Sequence, residues 1–233
     1  MVLESEPLPQ LARRRNQPVG EQRRAAILAA TEELLRERPL ARISVGDISQ
    51  RAGVGRSGFY FYFASKGAVV AALLEDVFLE MVAGATHFFE GDAGDLADDV
   101  AGVRLAVFSA WESWRSHDGL FLAMLDARGT DAAIGPLWEA WLDRFVEPVA
   151  SAIARRQRGT TGIAPTAVAP TAVGAPTSGP ARELATILVA ANERTFERLS
   201  RAGTPADQAS ETVEMLADVW TSTILVHHLG TPR

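Results

Sequence analysis

Apolar residues recur at three- and four-residue intervals over nearly the whole chain, and Gly or Pro falls between the stretches that keep this rhythm. Two-residue alternation is almost absent, so the pattern predicts an all-α fold. The first stretch, 21–37, turns Ile27, Leu34 and Leu35 inward and stops ahead of Pro39, which cannot continue a helix and restricts the residue before it. Ser44-Val45-Gly46-Asp47 has capping-box spacing and opens a helix of about two turns ending at Gly53. After the turn Gly53-Val54-Gly55, residues 56–63 form a second short helix, and Ser65 caps a longer one running through Ala71, Leu74 and Phe78. Short helix, glycine turn, short helix is the helix-turn-helix pattern.

Further amphipathic stretches follow at 100–117, 119–127, 136–156, 181–201 and 205–229. Pro136 and Pro205 suit first helical positions, where a missing N–H costs nothing, whereas Pro148 lies inside its stretch and is expected to kink or split it. Residues 159–180 differ: Gly, Pro, Thr, Ala and Val dominate, Ala-Pro-Thr-Ala-Val occurs twice in succession, and no charge stands between Arg158 and Arg182. A flexible connection is expected there.

With 233 residues and 47% apolar content, the chain has enough material for a core, which excludes a disordered protein. No apolar run approaches the ~18 residues of a membrane span, and the first thirty residues are polar and Arg-rich rather than signal-like, so a soluble, cytoplasmic protein with no membrane partner is expected. The absence of cysteine removes disulfides, thiolate metal sites and Cys nucleophiles. The net charge of −6 conceals an asymmetry: residues 1–70 carry 11 basic and 7 acidic side chains, and the remainder 12 basic and 22 acidic. Lys66 is the one lysine among 23 basic residues.

The basic end is placed to read DNA. In a helix-turn-helix the second helix enters the major groove with its first residues toward the bases. Arg56 can present two donors to guanine, Ser57 can bond a base or phosphate, and Gly55 and Gly58 let backbone come close. In Phe59-Tyr60-Phe61-Tyr62-Phe63, Phe59 and Phe63 go inward, leaving Tyr60 and Tyr62 to meet phosphates, joined by Lys66 at the next helix start. Arg13-Arg14-Arg15 forms a basic arm suited to backbone or minor-groove contact.

Together, Ile43-Ser44-Val45-Gly46-Asp47-Ile48, Arg51-Ala52-Gly53-Val54, the aromatic run and Ser65-Lys66 resemble the N-terminal signature of TetR-type transcriptional regulators. The resemblance implies phosphate contacts at Tyr60 and Lys66, and a DNA face holding Ser44, Arg56, Ser57 and Tyr62. Gly55 stands where that family often has a capping Ser or Thr. The implied layout is a basic arm (1–20), a three-helix DNA-binding domain (21–66) and a helical ligand-binding and dimerisation domain (67–233).

All five tryptophans lie beyond residue 100. Val100, Val103, Val107, Trp111 and Trp114 form one helical stripe; Trp138, Trp141, Leu142, Phe145 and Val149 form a second; Leu184, Leu188, Ala191, Thr195 and Leu199 form a third. Tryptophan is an uneconomical core filler, and Asn192 and Glu193 interrupt an apolar face, a composition that suits a small-molecule cavity. Ser116-His117, Leu137-Trp138, Glu183-Leu184-Ala185-Thr186, Asn192-Glu193-Arg194-Thr195 and Val219-Trp220 resemble the EthR-like branch of the same family. That resemblance implies an elongated apolar effector anchored by Asn192. The lining expected from it is Val103, Val107, Trp114, Trp138, Leu142, Phe145, Val149, Val189, Asn192, Glu193, Phe196 and Trp220; the stripe adds Trp111. It further implies a homodimer through the last two long helices, a palindromic double-stranded operator and repression relieved by the effector.

A competing expectation, prompted by Gly55 and Gly58 around Arg56, is a hydrophobic-metabolite binding protein whose DNA contact is vestigial. An enzyme is not expected. His87, His117, His227 and His228 lack metal-ligand spacing, no phosphate-cradling glycine loop or nucleophile elbow occurs, and no cofactor is implied.

Overall fold

The computed structural model describes residues 19–90, 95–160 and 179–225. The basic triplet at 13–15, most of the Ala/Pro/Thr connection and the histidine pair at 227–228 lie outside them. Every regular element among the described residues is helical, as the apolar rhythm predicts. The chain divides into two compact units, 1–75 and 76–233.

The first unit holds α1 (Val19–Glu37), a single 3-10 turn (Leu40–Arg42), α2 (Val45–Arg51), α3 (Arg56–Tyr62) and the start of α4 (Lys66–Gly84). The division between units therefore falls inside α4 rather than ahead of it. Ile27, Leu34, Ile43, Ile48 and Phe59 are fully buried, joined by Val69, Val70 and Leu74 from α4. Burial of each of these side chains contributes about 2 kcal/mol. At the start of α2 the Ser44 hydroxyl accepts from the Asp47 N–H at 3.2 Å while the Asp47 carboxylate accepts from the Ser44 N–H at 2.8 Å, the reciprocal bonds of a capping box. At its end the Gly53 and Val54 N–H groups return to the carbonyls of Gln50 and Ser49 at 3.3 and 3.0 Å, with Gly53 at φ +66. This Schellman turn satisfies carbonyls left over at the helix end and redirects the chain into α3.

The second unit contains the rest of α4, then α5 (Thr86–Glu90), α6 (Leu96–Ser116), α7 (Asp118–Ala127), α8 (Ile134–Thr160), α9 (Pro180–Arg201) and α10 (Ala206–Leu225). The most extensive packing is α9 on α8, followed by α10 on α6. Two expectations about α8 are corrected. It runs unbroken through Pro148 and continues past Arg156 to Thr160. An interior proline costs about 3 kcal/mol, and the burial of Val146, Val149, Ala150, Ala152 and Ile153 on both sides of it offsets that loss. Pro136 falls within the first turn of α8, and Pro205 immediately precedes α10. The short α5 escapes the sequence pattern because five residues are less than two turns.

No atom lies within 4 Å of where a Cβ at Gly53 would stand, so a substitution there meets a conformational cost without a clash. Gly53→Ala is expected to lower stability by about 1 kcal/mol and Gly53→Asn by less, because asparagine tolerates the left-handed region. Urea unfolding midpoints with equal slopes for all three proteins check this; an alanine variant as stable as the parent contradicts it.

Candidate functional site

The helix pair α2–α3 brings the expected DNA-facing residues into one neighbourhood. Ser44, Gly55, Arg56, Ser57 and Tyr60 are exposed, while Gly58 is half-buried against Val54. Arg56 does not project freely: a Cβ on Gly46 would stand 2.8 Å from its Nη2 and 3.4 Å from the Ser44 hydroxyl oxygen. The bare backbone of Gly46 is what lets the guanidinium lie across the start of α2, next to Ser44. The helix α3 begins at Gly55 with no side-chain cap, consistent with the missing hydroxyl noted in the sequence.

The aromatic run shares its faces differently from the expectation. Successive helical residues lie about 100° apart, so Tyr60 and Tyr62 cannot share one face, and the residue opposite buried Phe59 is Phe61. Phe61 is 81% exposed and Tyr60 56%, whereas Tyr62 is half-buried, its hydroxyl 3.5 Å from where a Cβ at Gly20 would stand. The exposed Phe61 was missed, although the inward assignment of Phe59 already implied it. Lys66 also turns inward: its Nζ donates to the Leu40 and Ile43 carbonyls at 2.8 and 3.1 Å. It thereby ties off the 3-10 turn, and one of the three donors of its ammonium group remains.

The electrostatics of this unit are those of an exposed frame. Arg51 forms a two-pronged contact with Glu37 at 2.8 and 2.9 Å and reaches Glu33 at 3.3 Å, fastening α2 to α1. Hydrogen bonding from Arg51 lowers the Glu37 carboxyl and raises the guanidinium in turn. The Asp47 carboxyl is lowered foremost by the Ser44 hydroxyl, then by the Ser44 N–H.

In the second unit, Met81, Ala85, Phe88, Phe89, Ala106, Val107, Ala110, Trp114, Trp141, Leu142, Phe145, Val149, Val189, Asn192, Glu193, Phe196 and Trp220 line an apolar cavity. Its void is about 670 Å³, the space at its mouth included. Of the residues named from the sequence, Val107, Trp114, Leu142, Phe145, Val149, Val189, Asn192, Glu193, Phe196 and Trp220 stand around this one cavity. Val103, Trp111 and Trp138 are not part of the lining and are corrected here. Val103 is fully buried elsewhere, Trp111 packs on Phe196 with rings 5.3 Å apart, and Trp138 stacks behind Trp141 at 5.2 Å. The helix α6 presents Ala106, Val107, Ala110 and Trp114 to the void; Val103 is on the same face a turn nearer the helix start, and Trp111 lies to one side of that face.

The polar edges of the wall are tied off. The Trp220 indole N–H donates to the Asn192 carbonyl oxygen at 2.9 Å, Trp114 to the Ser200 hydroxyl at 3.1 Å, and Trp138 to Glu193 Oε1 at 3.0 Å. Arg128 also donates to that Glu193 oxygen at 2.7 Å. His117 caps the end of α6 and places its ring Nε2 3.2 Å from Glu80, in keeping with a helix-end role. Among the described residues no three potential ligands gather to hold a metal ion, and no helix is long and apolar enough to cross a membrane.

Both units match known protein families in sequence. The pattern described as bacterial regulatory proteins, tetR family, matches residues 27–73, and that described as transcriptional regulator EthR, C-terminal domain, matches residues 103–226. The chain belongs to the TetR family of transcriptional regulators. It is 33% identical over 213 residues to the HTH-type transcriptional regulator EthR of Mycobacterium tuberculosis, covering 91% of each protein. It is 30% identical to the EthR of Mycolicibacterium smegmatis, with 91% and 90% covered. In fold it is similar to a putative TetR-family regulator from Syntrophomonas wolfei, with a TM-score of 0.70 at 18% identity over 88% of this chain and 96% of that one.

Because Asp47 is lowered in the folded state, its contribution is present above the ordinary carboxylate value and lost as the pH falls through its lowered folded value. Asp47→Asn is expected to flatten that part of the acid-unfolding profile. Parallel profiles for the two proteins across the acid range contradict the assignment.

Proposed function

We propose that this TetR-family regulator is a dimeric repressor whose operator binding is relieved by an elongated apolar molecule in the cavity of the second unit. The observation that carries the reading is the cavity itself: an aromatic and aliphatic slot with Asn192 and Glu193 as its polar members, in a chain whose other unit is a helix-turn-helix. With its carbonyl oxygen engaged by Trp220, Asn192 offers an incoming molecule its amide N–H pair, which suits a carbonyl or ether oxygen on an otherwise apolar ligand.

Base reading is assigned to Arg56 with Ser57 and Ser44 beside it, and phosphate contact to Tyr60, Tyr62 and the remaining donor of Lys66. Gly55 and Gly58 allow the approach. Exposed Ile187 on α9 and exposed Met215 and Val219 on α10 support pairing of two copies through these helices. A two-fold dimer sets its recognition helices about one DNA turn apart and calls for a palindromic operator. Coupling of about 1–3 kcal/mol between cavity and operator suffices for release.

Arg56→Ala is expected to cost about 1–3 kcal/mol at one guanine position and to relax selection there. Tyr60→Phe weakens all sequences alike. Selection from random duplexes, followed by fluorescence titration at several salt concentrations, separates the two effects. Failure to enrich any palindrome favours the vestigial-contact reading. Ala110→Leu fills the cavity with three more carbons and is expected to leave operator affinity intact while raising the effector needed for release ~10-fold or more. Unchanged release by the variant removes this cavity as the effector site.

A further inference from the structure

The cavity wall at Phe88 and Phe89 belongs to α5, whose five residues are too few to sustain a helix alone. Its carbonyl end is held from α8. Arg155 Nη2 donates to the Phe89 carbonyl at 2.6 Å and the Phe88 carbonyl at 3.2 Å. Arg156 Nη1 donates to the Phe88 carbonyl at 2.9 Å and to Ala152 at 3.3 Å. Its guanidinium carbon lies 4.6 Å over the Phe88 ring, and its Nε stands 2.7 Å from Asp99 on α6.

Arg156 and Asp99 are both 3% exposed, so this is a buried ion pair. Such pairs rarely stabilise a fold more than apolar residues of equal volume do, because desolvation consumes the Coulombic gain. What the pair does supply is direction. A planar guanidinium held by a carboxylate has its remaining donors aimed, and here Arg156 is aimed at the carbonyls of Phe88 and Ala152 while its neighbour Arg155 takes those of Phe88 and Phe89.

We propose that Arg155 and Arg156, with Asp99 behind Arg156, are positioning residues of the ligand cavity that set the length of apolar chain it accepts by fixing where the Phe88–Phe89 wall stands. The proposal rests on the reading of the cavity as a ligand site. Its consequence is a length cutoff: an unbranched ligand gains affinity with each methylene until it meets the wall, and the guanidinium clamp decides where that happens.

The test is a titration of intrinsic tryptophan fluorescence with primary n-alkanols from hexanol to tetradecanol, since Trp114, Trp141 and Trp220 line the void. In the unaltered protein, affinity is expected to rise about fourfold per methylene and then level at a defined chain length. In Arg155→Met, which leaves the buried pair intact, and in the double variant Asp99→Leu with Arg156→Met, which removes both charges together, levelling moves to a longer alcohol. A folded Arg155→Met protein that levels at the same alcohol as its parent overturns the proposal, whatever its melting temperature, because a merely structural arginine shifts stability and leaves the cutoff in place. Should no alkanol bind the unaltered protein, the cavity reading fails with it, an outcome distinct from binding with an unmoved cutoff.

Discussion

A tryptophan can stand in or behind the wall of an apolar cavity only if its indole N–H finds an acceptor, since a buried donor without a partner costs ~1–3 kcal/mol. Three tryptophans of the second unit meet this condition, and all three acceptors, Asn192, Glu193 and Ser200, stand on α9. The remainder of the unit is arranged around that requirement. Each hydrogen bond pins one edge of a ring, so the ring faces are left to bound the void or to back those that do: Trp114 stacks on Phe121 at 4.2 Å, and Trp138 on Trp141 at 5.2 Å. The same helix carries exposed Ile187, so the element that orders the cavity also presents an apolar side chain to solvent.

The first unit solves a different problem with the same means. Its helices are short, and short helices leave a large share of their backbone groups unpaired. Ser44 and Asp47 cap the start of α2, the Gly53 turn caps its end, and Lys66 takes the carbonyls of Leu40 and Ile43. Lys66 is thereby partly committed to the fold, whereas Arg56 lies exposed over the bare Gly46 backbone.

Much of this was legible beforehand. Capping box, glycine turn and helix order are local features, written in spacings of three and four residues, and the structure reproduces them to within a few positions. The misses have a common cause. Val103 and Trp111 share a stripe with Val107 and Trp114, and a stripe reports burial without saying which part of the buried face abuts a void. Trp138, expected in the lining from its stripe and from the family resemblance, stands second in a stack behind Trp141. Conversely Ala85, Ala106 and Ala110 make room by what they lack, and a small side chain in an apolar stripe gives no sign of whether a neighbour fills the gap.

What the linear order of residues determined by itself was the class of element, the ends of most helices and the family, because capping, turn chemistry and helical periodicity act within a few residues of chain. Tertiary packing alone decided that Pro148 is carried inside a continuous helix, that Lys66 turns inward and that Phe88 and Phe89 complete the cavity under two arginines from α8. The physical reason is distance along the chain: the partners of Phe88 and Trp220 lie dozens of residues away, and which groups meet there depends on how whole helices pack. No periodicity records that.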